Sequence, residues 1–481
     1  MRFNIHVVAE RAKESSPTRG GMSVSGARTN ACRSDYRDFH VGASGLDSPS
    51  MQEFSHQLLD TRRRVLLLTQ DLAVGQLSGP KLPIVNPFLW ELGHVAWFQE
   101  RWCLRQGDDL TQRSISGANL PPSLIDGADA LYDSSRVAHD TRWDLTLPSL
   151  RTTLDYQERV LERVLRRLER EAGNGSLAYC AELSIYHEDM HAEAFHYMRQ
   201  TLRLPEPSLG WAPPTETARA PGDGDVAVSG GVFRLGAESG TGFVFDNEKW
   251  AHEVDVPALQ ISRRPVTNEE FAQFTDEGGY ARREFWSDDG WAWKENLLAN
   301  SPRYWAKQDG QWLERRFDRL QPLAPDLPVM HVNWHEAQAY CRYAKRRLPT
   351  EAEWELAACG PGNVKPRFPW GSTPPGAARA NLGTGGRLPA GALPDGDSPA
   401  GCRQLIGNVW EWTESVFLPY PGFNCDPYQD YSLPWFGTRR VLRGGSFATP
   451  PRLIRNTWRN FFTPDRNDIF AGFRTCALSP A

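Results

Sequence analysis

At 481 residues the chain exceeds what a single hydrophobic core organises, so two or three domains are expected. With 40% hydrophobic and 23% charged residues and a net charge of -5, it reads as a globular protein with no electrostatic reason to bind nucleic acid or an anionic membrane. No apolar run approaches the roughly 18 residues of a membrane span. The N-terminus lacks a signal-peptide core, and the eight cysteines are scattered without CxxC pairs. The expectation is a cytoplasmic protein acting on small ligands.

Residues 1–48 are rich in Ser, Gly, Arg and Ala without periodicity and read as a loosely ordered extension. Helical pattern begins near Met51, with Phe54, Leu58, Val65 and Leu66 on one stripe. A second helix opens at Asn86-Pro87, read as an N-cap followed by proline at the first helical position, and runs through His94 towards Arg105. A third covers residues 147–172, where Leu150, Leu154, Val160, Leu161, Val164 and Leu168 recur at helical spacing. A fourth covers residues 176–202. Four helices within residues 49–204 predict a bundle, an architecture that builds metal sites from inward side chains on facing helices.

Residues 205–225 are rich in Pro and Gly and read as a linker. From 226 to 481 short β-like runs (226–228 and 231–235) alternate with long Gly, Pro and Trp-rich connections and two helices near residues 268–275 and 335–344. The predicted class is α+β multidomain, a helical bundle followed by an irregular domain whose function lies in its loops.

Three histidines carry the chemistry. His187 and His191 are four apart, so a helix places them on one face about a turn apart, and His94 on an earlier helix supplies a third imidazole. Three neutral ligands on one side of a metal leave positions free for substrates. The blander reading is a set of structural histidines. A rival reading is a zinc hydrolase, because His187-Glu188-Asp189-Met190-His191 satisfies HExxH. Tyr197 stands where a metzincin needs its third histidine, and no downstream glutamate follows at thermolysin-like spacing.

The second half resembles the formylglycine-generating-enzyme-like domain, a variant of the C-type-lectin-like fold. The runs that carry the resemblance are Pro265-Val266-Thr267-Asn268-Glu269-Glu270-Phe271, Leu348-Pro349-Thr350-Glu351-Ala352-Glu353-Trp354-Glu355 and Gly407-Asn408-Val409-Trp410-Glu411-Trp412-Thr413. Val441-Leu442-Arg443-Gly444-Gly445-Ser446-Phe447 and Ala471-Gly472-Phe473-Arg474 follow in the same order. The first half looks like a DinB-type four-helix bundle. Together, with His94 and the His187/His191 pair, the chain is similar to the ergothioneine-type sulfoxide synthases and the selenoneine synthases. That resemblance implies an oxidoreductase with Fe(II) on His94, His187 and His191, using O2 to join a sulfur or selenium donor to the imidazole of hercynine, a trimethylated histidine.

Two departures sharpen what it implies. The cysteine pair that copper-dependent formylglycine enzymes keep after the RGGS-like block is replaced by Ser446-Phe447-Ala448-Thr449-Pro450-Pro451, which argues against that activity. Ergothioneine synthases carry an Asn-Trp-Asp run whose Asp holds the amino end of γ-glutamylcysteine, whereas this chain has Asn460-Phe461-Phe462. Loss of that carboxylate favours a selenosugar donor and a selenoneine synthase over γ-glutamylcysteine or cysteine and an ergothioneine sulfoxide synthase.

By the same resemblance, Tyr428 or Tyr431 is the general acid. Asn460, Phe461 and Phe462 line the substrate pocket, Arg136 and Arg142 are donor-binding arginines, and Glu193 either orients a ligand imidazole or is a solvated carboxylate. A reading from another class, a lectin-like module that only displays a ligand surface, predicts no tightly bound metal.

Overall fold

The structure is a computed structural model that describes residues 50–108, 110, 120–210, 224–362 and 365–478. The extension expected at 1–48, and residues 211–223 of the expected linker, lie outside the described residues.

The first part is helical. α1 (Met51–Leu67) is capped by the Ser50 side chain, which accepts from the Glu53 amide. Its buried face is Phe54, Leu58, Thr61, Arg62 and Val65, while Leu66 sits at the margin. A short α2 (Val74–Ser78) leads to α3 (Phe88–Glu100), which widens into a π-helical turn at Arg101–Arg105. α4 (Ala128–Tyr132) is short, and α5 (Leu150–Arg170) and α6 (Gly175–Thr201) are capped by Ser149 and Asn174. On α5 the buried stripe is Thr153, Tyr156, Gln157, Val160, Val164 and Leu168. α1 packs on α6 and α3 on α5, giving the predicted bundle. α3 is buried nearly all round, because it meets α5 and α6 on one side and α4 on another.

One detail of the sequence reading is corrected. Asn86 does not cap α3; Pro87 occupies the N-cap with no side-chain hydrogen bond. The Asn86 side chain turns inward to Glu91 and Arg142 instead.

The second part holds small sheets joined by long connections. β1 (Asp225–Val228), β4 (Leu259–Ser262), β13 (Cys476–Ala477) and β8 (Arg346–Arg347) form one antiparallel sheet in that order. β2 (Gly231–Leu235) pairs with β3 (His252–Val256), and β5 (Trp305–Gln308), β6 (Gln311–Arg316) and β7 (Arg319–Pro322) form a meander. A further sheet runs β11 (Asn460–Phe462), β10 (Arg440–Arg443), β9 (Trp410–Val416) and β12 (Ala471–Gly472), with β12 parallel to β9. Helices α7 (Asn268–Asp276), α8 (Asp288–Asn296), α9 (Trp334–Tyr343) and α10 (Glu351–Cys359) pack around them.

The sequence blocks noted above bond to one another, and to Arg459 just before Asn460, as buried ion pairs. Glu411 takes a fork from Arg474 at 2.6 and 2.7 Å, Glu351 takes one from Arg459 at 2.8 and 3.0 Å, and Glu355 accepts from Arg443. Each charge is fully desolvated or nearly so, which is tolerable only because each carboxylate meets a guanidinium in bidentate or short contact. The described cysteines are all buried. Among the described residues no helix is long and apolar enough to cross a membrane.

Candidate metal centre

His94 comes from α3, and His187 and His191 from α6. Gly93 makes the approach possible, because a Cβ there would fall 2.2 Å from the Tyr132 ring. α4 therefore lies close enough for the Tyr132 carbonyl to sit 2.8 Å from His94 Nδ1. A carbonyl only accepts, so Nδ1 carries the proton and Nε2 keeps its lone pair. The same logic holds at His191, whose Nδ1 lies 2.5 Å from Glu91 Oε2. His191 Nε2 is 3.2 Å from His187 Nε2, and one nitrogen from each of the three rings falls within 4.8 Å of the others.

Two ligands cis on one ion at the usual ~2.1 Å metal–nitrogen distance stand about 3 Å apart, so this spacing fits a shared metal. The chemistry of the set agrees. Burial lowers the proton affinity of His94, to about 3, and that of His187, so both are neutral lone-pair donors at neutral pH. His187 Nδ1 is buried without a hydrogen-bond partner.

The surroundings hold the imidazoles in place. Trp90 stacks on His94 at 4.8 Å and Phe98 on His187 at 3.6 Å, nearly parallel. Asn86 Nδ2 donates to Glu91 Oε1 at 2.5 Å, and Arg142 Nη1 donates to Asn86 Oδ1 at 2.8 Å. Burial would raise the Glu91 carboxyl, but His191, His94 and Arg142 together hold it down at about 2. A chain Arg142–Asn86–Glu91 thus ends on a ligand imidazole, the arrangement that fixes ring orientation in metal sites. Glu91 is the partner that the sequence reading missed, since it lies 100 residues from His191.

The acids of the HExxH run point elsewhere. Glu188 is 1% exposed and forms two hydrogen bonds with Arg62 of α1, at 2.6 and 3.1 Å, so it is not available as a hydrolase base. Asp189 accepts from Thr61 and from Arg452. Glu193 is neither an imidazole partner nor solvated. It is buried in the second part of the chain, accepting from Trp410 Nε1 at 2.8 Å and from the Ser446 and Thr449 hydroxyls at 2.6 Å each.

Of the remaining predicted residues, the structure brings Tyr428 and Arg142 near the cluster and leaves Arg136 apart. The Tyr428 ring lies 4.9 Å from Phe98 and 6.3 Å from His187. Tyr431 directs its hydroxyl at Met190 Sδ, 3.8 Å away, and its ring at Phe245 and Phe461. Burial raises both phenols, which favours the protonated form a general acid needs. Phe461 stacks on Phe417 at 4.0 Å, Asn460 accepts from the Phe461 amide, and the Arg466 guanidinium lies 5.0 Å from the Phe462 ring.

Arg142 lies 3.9 Å over Trp90 and is 9% exposed. Its contacts are Asn86 and the Val137 carbonyl. Arg136 is exposed and lines a cavity of about 600 Å³ with Arg105, Asp126 and Asp129, a lining that includes none of the three histidines.

Residues 57–195 match the DinB superfamily, and residues 212–478 match the sulfatase-modifying factor enzyme 1-like domain. The chain is 39% identical over 447 residues to the hercynine oxygenase of Mycolicibacterium thermoresistibile, covering 90% of this chain and 96% of that one. It is 37% identical over 437 residues to the hercynine oxygenase of Mycobacterium tuberculosis, covering 88% and 98%. The formylglycine-generating enzyme of Thermomonospora curvata matches at 33% over 311 residues, 57% of this chain and 99% of that one. Helical bundle, lectin-like half and three-histidine cluster thus occur together in a chain that spans its relatives nearly end to end, and it belongs to the hercynine oxygenase family as an oxidoreductase.

Proposed function

We propose that His94, His187 and His191 hold Fe(II) and that the enzyme joins a selenium donor, a selenosugar, to the imidazole of hercynine with O2 as oxidant. The observation that carries the reading is the convergence of three imidazoles on one point with no carboxylate among them. Iron bound there would supply O2 binding and a Lewis-acid contact for the substrates. Three neutral ligands leave a divalent ion its full charge, which suits a site that must also take an anionic selenolate.

The chain's own residues do the rest. Phe98 and Trp90 hold the ligand rings and exclude water, and Tyr428 or Tyr431 keeps a phenolic proton beside the cluster. Asn460, Phe461 and Phe462 line the substrate side, where an aromatic face suits a trimethylammonium group at ~0.5–2 kcal/mol.

Two observations favour a donor without an amino-acid head group. By its resemblance to ergothioneine synthases the chain has Phe462 in place of the Asp that meets a ligand ammonium. Arg142, expected to grip a donor carboxylate, is engaged with Asn86, the Val137 carbonyl and Trp90, and Arg136 lines a different cavity. The similarity to hercynine oxygenases supports hercynine as acceptor and leaves γ-glutamylcysteine or cysteine, giving an ergothioneine sulfoxide, as the second reading.

The test is anaerobic reconstitution with Fe(II), then hercynine, O2 and either a selenosugar or γ-glutamylcysteine, with products identified by mass. Turnover with the selenosugar is expected. Strong turnover with γ-glutamylcysteine alone overturns the donor assignment.

A further inference from the structure

Away from the histidines, a buried acid pair lies beneath the segment that carries Tyr428 and Tyr431. Asp246 is 1% exposed and Asp426 7% exposed. The Asp426 amide donates to Asp246 Oδ2 at 3.4 Å, and the Ser432 hydroxyl donates to Asp246 Oδ1. Both ends of the stretch 426–432 are therefore fastened to one carboxylate, and the two tyrosines lie between them. Asn247 Nδ2 donates to Ser432 Oγ at 3.1 Å, and Phe245, next in sequence, stacks on Tyr431 at 4.3 Å.

The other carboxylate ties the stretch to the metal helix. Asp426 accepts from Tyr179 of α6 at 3.2 Å, and Lys249 Nζ lies 2.7 and 2.8 Å from its two oxygens. Tyr179 precedes His187 by eight residues on the same helix, so Asp426 fixes the tyrosine segment against the element that supplies two of the three ligands. Two buried carboxylates share one ammonium here. Burial and the charge of Asp426 accordingly push Asp246 up to about 7. Burying a second acid without its own cation costs stability, so packing alone gives no reason for it.

We propose that Asp246 and Asp426, with Lys249, Ser432 and Tyr179, are positioning residues that hold the Tyr428/Tyr431 segment in register with the metal helix. They touch no reacting atom. Their effect is transmitted through the backbone of residues 426–432.

The test compares Asp426→Ala, Lys249→Met, Lys249→Arg and Tyr179→Phe with the full-length wild type. It reads iron content, amide hydrogen exchange of residues 425–432, and kcat and KM for hercynine. Only the kinetic arm rests on the function proposed above, so wild type without hercynine turnover refutes that function while exchange still decides the present inference.

Expected are unchanged iron content and exchange in 425–432 faster by about tenfold in Asp426→Ala and Lys249→Met, as for a locally released segment. kcat should fall by about tenfold or more with KM nearly unchanged, since a displaced general acid lowers turnover rather than binding. Lys249→Arg should restore both. Should Asp426→Ala not fold, Tyr179→Phe removes a single hydroxyl and is expected to show the same local loss in weaker form. Wild-type exchange and kcat in Asp426→Ala and Lys249→Met overturn the inference. So does loss of protection along all of α6 together with loss of iron, because the groups would then be general stabilisers.

Discussion

His191 shows how much of an imidazole's behaviour is set one residue further out. Its Nε2 faces His187, while its Nδ1 is held by Glu91, and Glu91 is held by Asn86. Replacing Glu91 by Gln removes the negative charge from the ring's N–H partner and leaves the three ligands in place. Iron affinity, measured by competition with a chelator, should fall by about 10- to 100-fold with the fold intact. An unchanged affinity would mean that Glu91 does not orient the ligand. The three-histidine cluster was legible in the sequence because i, i+4 spacing on a helix is a local property. Glu91 was not, because nothing in a linear pattern pairs residues 91 and 191. Glu193 was misread for the same reason. Its partners Trp410, Ser446 and Thr449 lie more than 200 residues downstream.

Elements declared themselves where their signals are local. The bundle helices were placed within a few residues, because capping side chains such as Ser149 and Asn174 and a repeating apolar stripe mark them. α8 and α10 were overlooked although Ser287 caps the first and Thr350 with Glu353 forms a capping box on the second. α10 is buried on every side and α8 buries only Gly290, so neither shows the one-sided apolar stripe that marks a helix in a sequence. α9 begins with a capping box too, Asn333 with Glu336, and here the box is buried. Burial pushes the Glu336 carboxyl from its usual 4.5 up to about 7, although Tyr280 and the Asn333 amide donate to it.

An acid raised in the folded state binds its proton more tightly there than in the unfolded chain. Its contribution to stability is therefore fully present below about 4.5 and is lost as pH rises through about 7. The loss is on the order of 3 kcal/mol. The unfolding midpoint in urea should fall between pH 5 and pH 8, and Glu336→Gln, though less stable overall, should flatten that slope. An equally steep slope in the variant would assign the pH dependence to other groups.

At the scale of the whole molecule, α6 belongs to both halves. One side presents His187 and His191 to α3. Another side presents Tyr179, Asp189, Glu193 and Gln200 to the second half, where they meet Asp426, Arg452, the Trp410/Ser446/Thr449 group and the backbone of Arg315 and Phe317. Asp189, Glu193 and Gln200 of this polar stripe are buried, which is why the helix lacks a simple apolar face in the sequence. Glu193→Ala leaves three donors without an acceptor, at about 1–3 kcal/mol each where burial is complete. Calorimetry should show the single unfolding transition shifted down or split into two. A transition at the wild-type temperature would mean that the halves are held together by other contacts.

The glycine pair Gly444-Gly445, both at positive φ, turns the chain after β10 so that Ser446 and Thr449 reach Glu193. A short turn remote in sequence from the three-histidine cluster thus acts as a socket for α6. In an exchange of lectin-like halves between members of the family, compatibility is therefore decided by a key of four side chains at positions 179, 189, 193 and 200. A graft that ignores them would deliver a correctly folded half to a histidine cluster facing the wrong way.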